Sequence, residues 1–494
     1  MSQSVHFDVI IAGAGSAGCV LANRLTEDAA CRVLLIEAGP DFPTVESLPR
    51  DIAEGLDVGQ SQDWGYRSEP GAAIAGRSIP LLRGKLTGGC SAINVTFSMR
   101  GWPDDYDGWA SIGNKGWSFS DVLPYFRKLE TDHDYSNKWH GQTGPHPIRR
   151  QRELSESHQR FVEACEVLGH RRIEDHNQPG EIGIGPAPVN TVDGVRRSTA
   201  LTYLAQARSR PNLSVLPNTT VDRVVFEGAR ATGVLTGDGQ VLAGDQIVLA
   251  AGSYASPAIL MRSGIGQPAE MSRIGIDAHV ELPGVGAELI EHPLIGIVFH
   301  TYSVLPPDLP GLQTMLAIDQ GEYRFQVFPW HQPSGSPESP DVFAIVGALL
   351  NPRSRGKLRV GSGSSDASPL IDLQLLGDER DVAGVVELVR TIWRISQAQS
   401  LRDILRPAMI DDWVERDDEK VETFVREIVE VYNHPVATCR MGGDGLAVVD
   451  QQGRVHGVRG LRVIDASIIP VPLTAQTNVS TIMIAEKLAE HLAA

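Results

Sequence analysis

The sequence predicts a two-domain α+β protein, with a Rossmann-like dinucleotide-binding domain and a second, sheet-containing domain. Three observations lead there. The 494 residues are too many for one ordinary hydrophobic core. Within the first forty residues a glycine-rich turn stands between an apolar strand and a helix-periodic run. Between residues 323 and 373 the chain breaks into short strand-like runs bounded by turn residues, followed by a stretch of helical spacing.

Composition narrows the class. At 42% hydrophobic and 21% charged residues the chain is an ordinary globular sequence. A net charge of −17 argues against a nucleic-acid partner, which would need a basic face. The five cysteines are odd in number and scattered, without CxxC or zinc-like spacing to histidines, so no disulfide framework and no metal site is expected. No apolar run reaches the roughly 18 residues of a membrane span. The N-terminus lacks the basic-then-apolar pattern of an export signal, and the expected location is cytoplasmic.

Residues 7–12, Phe-Asp-Val-Ile-Ile-Ala, read as a buried parallel strand. Gly13-Ala14-Gly15-Ser16-Ala17-Gly18 follows, then a helical run through Leu25 and a second strand, residues 32–36, ending at Glu37. Glycines here permit a tight turn and close backbone approach to a pyrophosphate seated on the helix N-terminus, where amide donors and the dipole favour anions. Gly13, Gly15, Ser16 and Ala17 are the candidate phosphate contacts. Glu37, 24 positions after Gly13, is the candidate ribose ligand, with Ala38 beside it. The pattern serves NAD and FAD alike.

Three later segments discriminate. The first is Gly84-Lys85-Leu86-Thr87-Gly88-Gly89-Cys90-Ser91-Ala92-Ile93-Asn94, followed by Met99-Arg100-Gly101 and Asp105-Tyr106-Asp107-Gly108-Trp109. The second runs from Gly252 to Gly266. The third joins His434-Pro435-Val436-Ala437-Thr438-Cys439-Arg440-Met441-Gly442, Val463-Ile464-Asp465-Ala466-Ser467, and Pro472 to Asn478. In this order, over essentially the whole chain, the sequence resembles the glucose–methanol–choline (GMC) oxidoreductases, FAD-dependent alcohol oxidases and dehydrogenases.

That resemblance implies FAD as cofactor. It implies a discontinuous, glutathione-reductase-type FAD domain over 1–150, 215–300 and 450–494. A substrate domain of 151–214 and 301–449 would place an antiparallel sheet over the reactive face of the flavin. It adds Gly88, Ser91, Asn94, Val95, Val221, Ala251, Asp465, Ala466 and Val479 to the cofactor contacts. The small residues of 84–94 suit backbone lying against a planar ring. Apolar positions after Asn478 recur at helical spacing, and the positive end of that helix would stabilise charge on reduced flavin.

Two departures bear on the chemistry. Choline-oxidase-type members carry, just before Asn94, a histidine that bonds covalently to FAD; here it is Ile93, so non-covalent FAD is expected. Glu288 and Glu291 stand where the family usually has Asn and Asp.

Alcohol oxidation needs a base for the hydroxyl proton and an acceptor for hydride. By motif match His434 is the base, and Asn478 holds the same oxygen without titrating. The expected substrate is a small alcohol such as a primary alcohol, aromatic ones included, with O2 reoxidising the flavin. A dehydrogenase using a quinone or other acceptor, and a lyase or decarboxylase of the same fold, are the alternatives. Phe328, Trp330 and His331, on or beside an aromatic-rich strand, are the candidate substrate contacts. Asn433 and Cys439 read as a loop residue and a buried spectator thiol.

Overall fold

Val9 to Ala12 are buried, as their unbroken apolar run requires of a strand covered on both faces. In the computed structural model, which describes residues 6–55, 58–302, 311–332 and 341–492, the strand Phe7–Ala12 pairs in parallel with Val33–Ile36 on one side and Val241–Leu249 on the other. Leu213–Leu216 lies beyond Val33–Ile36, and Leu461–Val463 beyond Val241–Leu249. An antiparallel meander, Val221–Glu227 and Arg230–Thr236, leads into Val241–Leu249. One sheet is thus drawn from three separated stretches of chain.

Two helices begin beside the ends of these strands. Ser16–Leu25 follows the first strand and packs against Thr477–Ala489, whose face is buried almost throughout. The buried Glu486 in the second is neutralised by Arg24 of the first, at 2.7 and 2.9 Å, and accepts a hydrogen bond from the Tyr203 hydroxyl.

The second sheet is antiparallel. Its order is Leu405–Pro407, Pro293–Thr301, Val342–Leu349, Arg324–Gln332, Thr314–Asp319 and Ile184–Pro186. Glu379–Ser396 covers one face, and it starts where the Asp378 carboxylate accepts the Arg380 N–H. Leu388 and Ile392 of this helix lie so close to Gly347 that a Cβ there would sit 2.7 Å from Leu388.

Two details differ from the sequence reading. All of Pro293–Thr301 but its last residue lies inside the stretch 215–300 expected in the cofactor domain, yet the strand pairs in the antiparallel sheet and alternates buried with half-buried residues. Lys357–Arg359 and Leu370–Asp372 form a two-stranded ribbon of their own, outside the second sheet. The turn-rich Pro/Ser/Gly residues 333–340 lie outside the described residues.

Glu130, Asp132 and His140 bring their ligand atoms within 4.8 Å of one another. Cations already fill that space. Arg100 reaches Glu130 at 2.6 Å, Arg150 reaches Asp132 at 3.0 Å and Asp175 at 2.7 Å, and His140 itself bonds Asp175 at 2.7 Å. The cluster is a charge-compensated brace.

Candidate active site

A cavity of about 450 Å³ is walled by both sheets and by the starts of both helices. At one end Gly13 turns the chain with φ +106°, and a Cβ there would meet the Ala250 carbonyl at 2.6 Å. Gly89 approaches Gly15 so closely that its Cβ would stand 2.7 Å from the Gly15 Cα. Gly15 caps Ser16–Leu25 without a side-chain bond, and no acidic residue occupies the first turn. Those open N–H groups suit a pyrophosphate.

Glu37 stands at the end of the second strand. One of its oxygens accepts the Ala14 N–H and the other the Gly39 N–H, both at 2.9 Å. Burial pushes its carboxyl up to about 7, against the pull of those amides. Accepting ribose hydroxyls would further favour the carboxylate. The residues present therefore fit a dinucleotide.

At the other end the cavity receives His434, while Asn478 stands beside the phosphate turn. The two line one cavity from different elements. Asn478 is the second residue of Thr477–Ala489, another helix with no side-chain cap and no acid in its first turn. Ser16 donates its hydroxyl to Asn478 Oδ1 at 2.7 Å, which leaves the buried Nδ2 as a donor with no partner among the described residues.

His434 sits between Asn433 and Ala437, whose φ values of +64° and +73° put non-glycine residues in the left-handed region. Glu291 holds this loop. Its Oε1 accepts the His434 N–H at 2.7 Å and the His292 N–H at 2.9 Å. Arg83 lies 3.9 Å from the other oxygen and donates to the Asn433 carbonyl at 3.0 Å.

The two imidazoles face one another, with Nδ1 of His292 3.2 Å from Nδ1 of His434. One of these nitrogens donates and the other accepts; with His434 Nδ1 as the donor, the basic nitrogen of its neutral ring is Nε2. Nε2 of His434 is then an unprotonated nitrogen bonded by no described residue. Burial first, then His292 and Arg83, holds the His434 imidazole well below its ordinary value, so it is neutral at physiological pH.

Of the other expected contacts, Ser16, Ala17, Ala38, Asn94, Val95, Val221, Ala251, Asp465 and Ala466 line the cavity. Gly88, Ser91 and Val479 do not. The 3₁₀ turn Gly89–Ala92 faces Ser91 inward to Thr199, at 3.1 Å, so Gly89 and Cys90 take the wall. Val479 is fully buried on the core side of its helix, while Thr477 and Thr481 line the space.

Phe328 and Trp330 line the cavity as expected, and His331 does not. Strand alternation turns His331 to the opposite face, where its Nε2 meets Asp341 at 3.1 Å. Sequence reasoning missed Arg83, Tyr254, Tyr432 and Gln476. Tyr432 carries the one usable signal, standing two residues before His434. Glu288 pairs with Arg440, a contact that explains its charge in place of the family's asparagine.

The family model described as GMC oxidoreductase matches residues 7–294 and 352–485. The chain belongs to the GMC oxidoreductase family. It is 38% identical to the oxygen-dependent choline dehydrogenase of Serratia proteamaculans (strain 568), across 99% of this chain and 96% of that one. It is 35% identical to the enzyme of the same description from Pseudomonas putida (strain ATCC 47054), across 99% and 94%. Among solved structures it is similar to pyridoxine 4-oxidase from Mesorbium loti, with a TM-score of 0.90 and 31% identity over 98% of this chain and 99% of that one. A fungal aryl-alcohol oxidase at 20% identity, TM-score 0.85, covering 100% and 99% of the two chains, shares the fold. GMC oxidoreductases are FAD-dependent, and this one is an oxidoreductase acting on CH–OH groups. Among the described residues no helix is long and apolar enough to cross a membrane.

Proposed function

We propose that this GMC oxidoreductase oxidises a small aromatic primary alcohol to the aldehyde and passes the electrons to O2. The observation that carries the reading is His434, paired through Nδ1 with His292 and lining the same cavity as Asn478, whose Nδ2 has no partner among the described residues. His434 Nε2 takes the hydroxyl proton, and Asn478 Nδ2 donates to the oxygen as it becomes an alkoxide. Bound FAD supplies the hydride acceptor. Gly13 to Ala17 with Glu37 hold the dinucleotide, and the open start of Thr477–Ala489 places positive potential beside the flavin site.

Substrate size and character are read from the wall near His434. Val95, Phe97, Leu294, Phe328, Trp330, Val346 and Tyr432 present only neutral, mostly apolar surface. The two carboxylates that line the cavity are engaged elsewhere, Glu37 with Ala14 and Gly39, and Asp465 with Gly252, Ser256 and Ser467. The pyridoxine 4-oxidase likeness supports an aromatic alcohol and oxygen as acceptor. Ile93 lines the cavity where covalent members carry histidine, which supports non-covalent FAD.

The test is an alcohol panel, choline included, assayed anaerobically for bleaching of the flavin band and then exposed to air. Benzyl-type alcohols should bleach it and air should restore it within the turnover time. Bleaching by choline alone would sink the aromatic assignment, and slow reoxidation would sink O2 as acceptor. Acid precipitation should release the flavin from the polypeptide.

A further inference from the structure

Gln476 precedes the helix Thr477–Ala489, lines the cavity and is 5% exposed. Its amide orientation follows from its neighbours. Gln326 Nε2 donates to the Thr474 carbonyl at 3.3 Å, so Gln326 Oε1 is the acceptor end. Gln476 Nε2 donates to that oxygen at 2.9 Å and to the Tyr432 hydroxyl at 2.8 Å. Both amide protons are spent. Gln476 Oε1 is left buried with no partner among the described residues.

A buried acceptor without a donor is costly, and most such groups in native proteins are satisfied by something. The surroundings here are aromatic. Phe97 meets Phe328 edge-to-face at 5.2 Å, Phe328 stacks on Tyr432 at 6.3 Å, and the Tyr432 ring centroid lies 4.2 Å from that of His434. Tyr432 therefore links the base to the residue bearing the orphan acceptor. An aromatic substrate with its CH2OH at His434 would occupy the space these rings enclose.

We propose that Gln476 Oε1 is a specificity determinant that accepts a hydrogen bond from a second donor on the substrate. The preferred substrate is then an aromatic primary alcohol bearing a ring hydroxyl. This rests on the alcohol-oxidation reading and narrows it. Discrimination of this kind is steep because the analogue lacking the donor leaves the acceptor buried and unpaired.

The experiment uses the FAD-loaded enzyme and three matched sets: benzyl alcohol, the hydroxybenzyl alcohols and the methoxybenzyl alcohols, which keep the bulk and lose the donor. At least one hydroxybenzyl isomer should exceed benzyl alcohol and its own methoxy counterpart in kcat/KM by about 10- to 100-fold. In Gln476→Met that ratio should collapse towards one. A parallel measurement needs no turnover: phenol should perturb the flavin spectrum at lower concentration than anisole, and Gln476→Met should erase the difference. Equal kcat/KM for hydroxy and methoxy substrates overturns the proposal even if alcohols are oxidised. Loss of the flavin spectrum itself in Gln476→Met, with all alcohols affected alike, also overturns it by assigning the acceptor to the cofactor. If no alcohol bleaches the flavin yet phenol outbinds anisole, the oxidation reading fails and the Gln476 site stands.

Discussion

The Nδ1 atoms of His434 and His292 lie 3.2 Å apart, and with His434 as the donor its Nε2 is the basic nitrogen. Replacing His292 by leucine removes the acceptor, so His434 is no longer held with Nε2 bare. Flavin reduction by alcohol should slow by about a hundredfold, the scale on which a misplaced catalytic group costs rate, while FAD content stays normal. His292→Asn, which retains a carbonyl acceptor, should recover part of the rate. Stopped-flow reduction at the wild-type rate in His292→Leu would remove His292 as the positioning residue.

The pH dependence follows from the environment of His434. Its imidazole is depressed below the ordinary 6.5 by burial, by His292 and by Arg83. The base form is lost only when pH falls through that lowered value. kcat/KM should therefore stay level through pH 6.5, with its acidic limb displaced to lower pH. His434→Ala should reduce kcat by about a hundredfold or more and abolish the limb. A wild-type limb centred at or above 6.5 would belong to some other group.

Glu291 binds two backbone N–H groups with one oxygen and faces Arg83 with the other. Removing it in Glu291→Ala strands both amides and leaves the left-handed Asn433 without the clamp that fixes His434. Each stranded buried donor costs about 1–3 kcal/mol, so the melting temperature should fall along with the rate of flavin reduction. Glu291→Gln retains the acceptor for both amides. Its reduction rate should stay within about tenfold of wild type, clearly above that of the alanine variant. Equal loss in the two would show that charge, not the amide bonds, holds the loop.

How much of this was legible depends on the range of the signal. The phosphate turn is local: a strand, Gly13 to Gly18, a helix and Glu37 lie within thirty residues, and the structure assembles them side by side. His434 and Asn478 came from motif match, and both line one cavity. The clamp did not come through, because Arg83, Glu291 and Asn433 are brought together from three distant segments. Gln476 was invisible for the same reason, since its role rests on Gln326 and Thr474. Ser91 and Val479 sat within matched motifs, yet the turn and the helix direct them into the core. The end of the expected cofactor stretch failed at Pro293–Thr301, where a run that alternates partly and fully buried residues joins the second sheet.

Trp330 and His331 give a direct test of that alternation. Adjacent on one strand, they face opposite sides, the cavity and the Asp341 side. Trp330→Ala should raise KM for aromatic alcohols by about tenfold, as expected from losing part of a large apolar contact. His331→Gln should leave kcat and KM near wild type and lower the melting temperature instead. A kinetic defect in His331→Gln equal to that of Trp330→Ala would mean the strand presents both residues to substrate.

The brace around His140 makes a prediction about alkaline stability. Asp132, Asp175 and Glu130 all bond its imidazole, and together they overcome burial to push it up to about 10. The unfolded chain would titrate near 6.5. Since the folded value is the higher one, the stabilisation is complete below 6.5 and is lost as pH rises towards about 10. Arg100 and Arg150 remain charged throughout and keep the carboxylates paired, so the loss should be gradual. Melting temperature measured across that window should decline for the wild type, and His140→Gln, which cannot titrate, should start lower at pH 6.5 and run flatter. Parallel slopes for the two proteins would show that His140 carries no proton in the folded state.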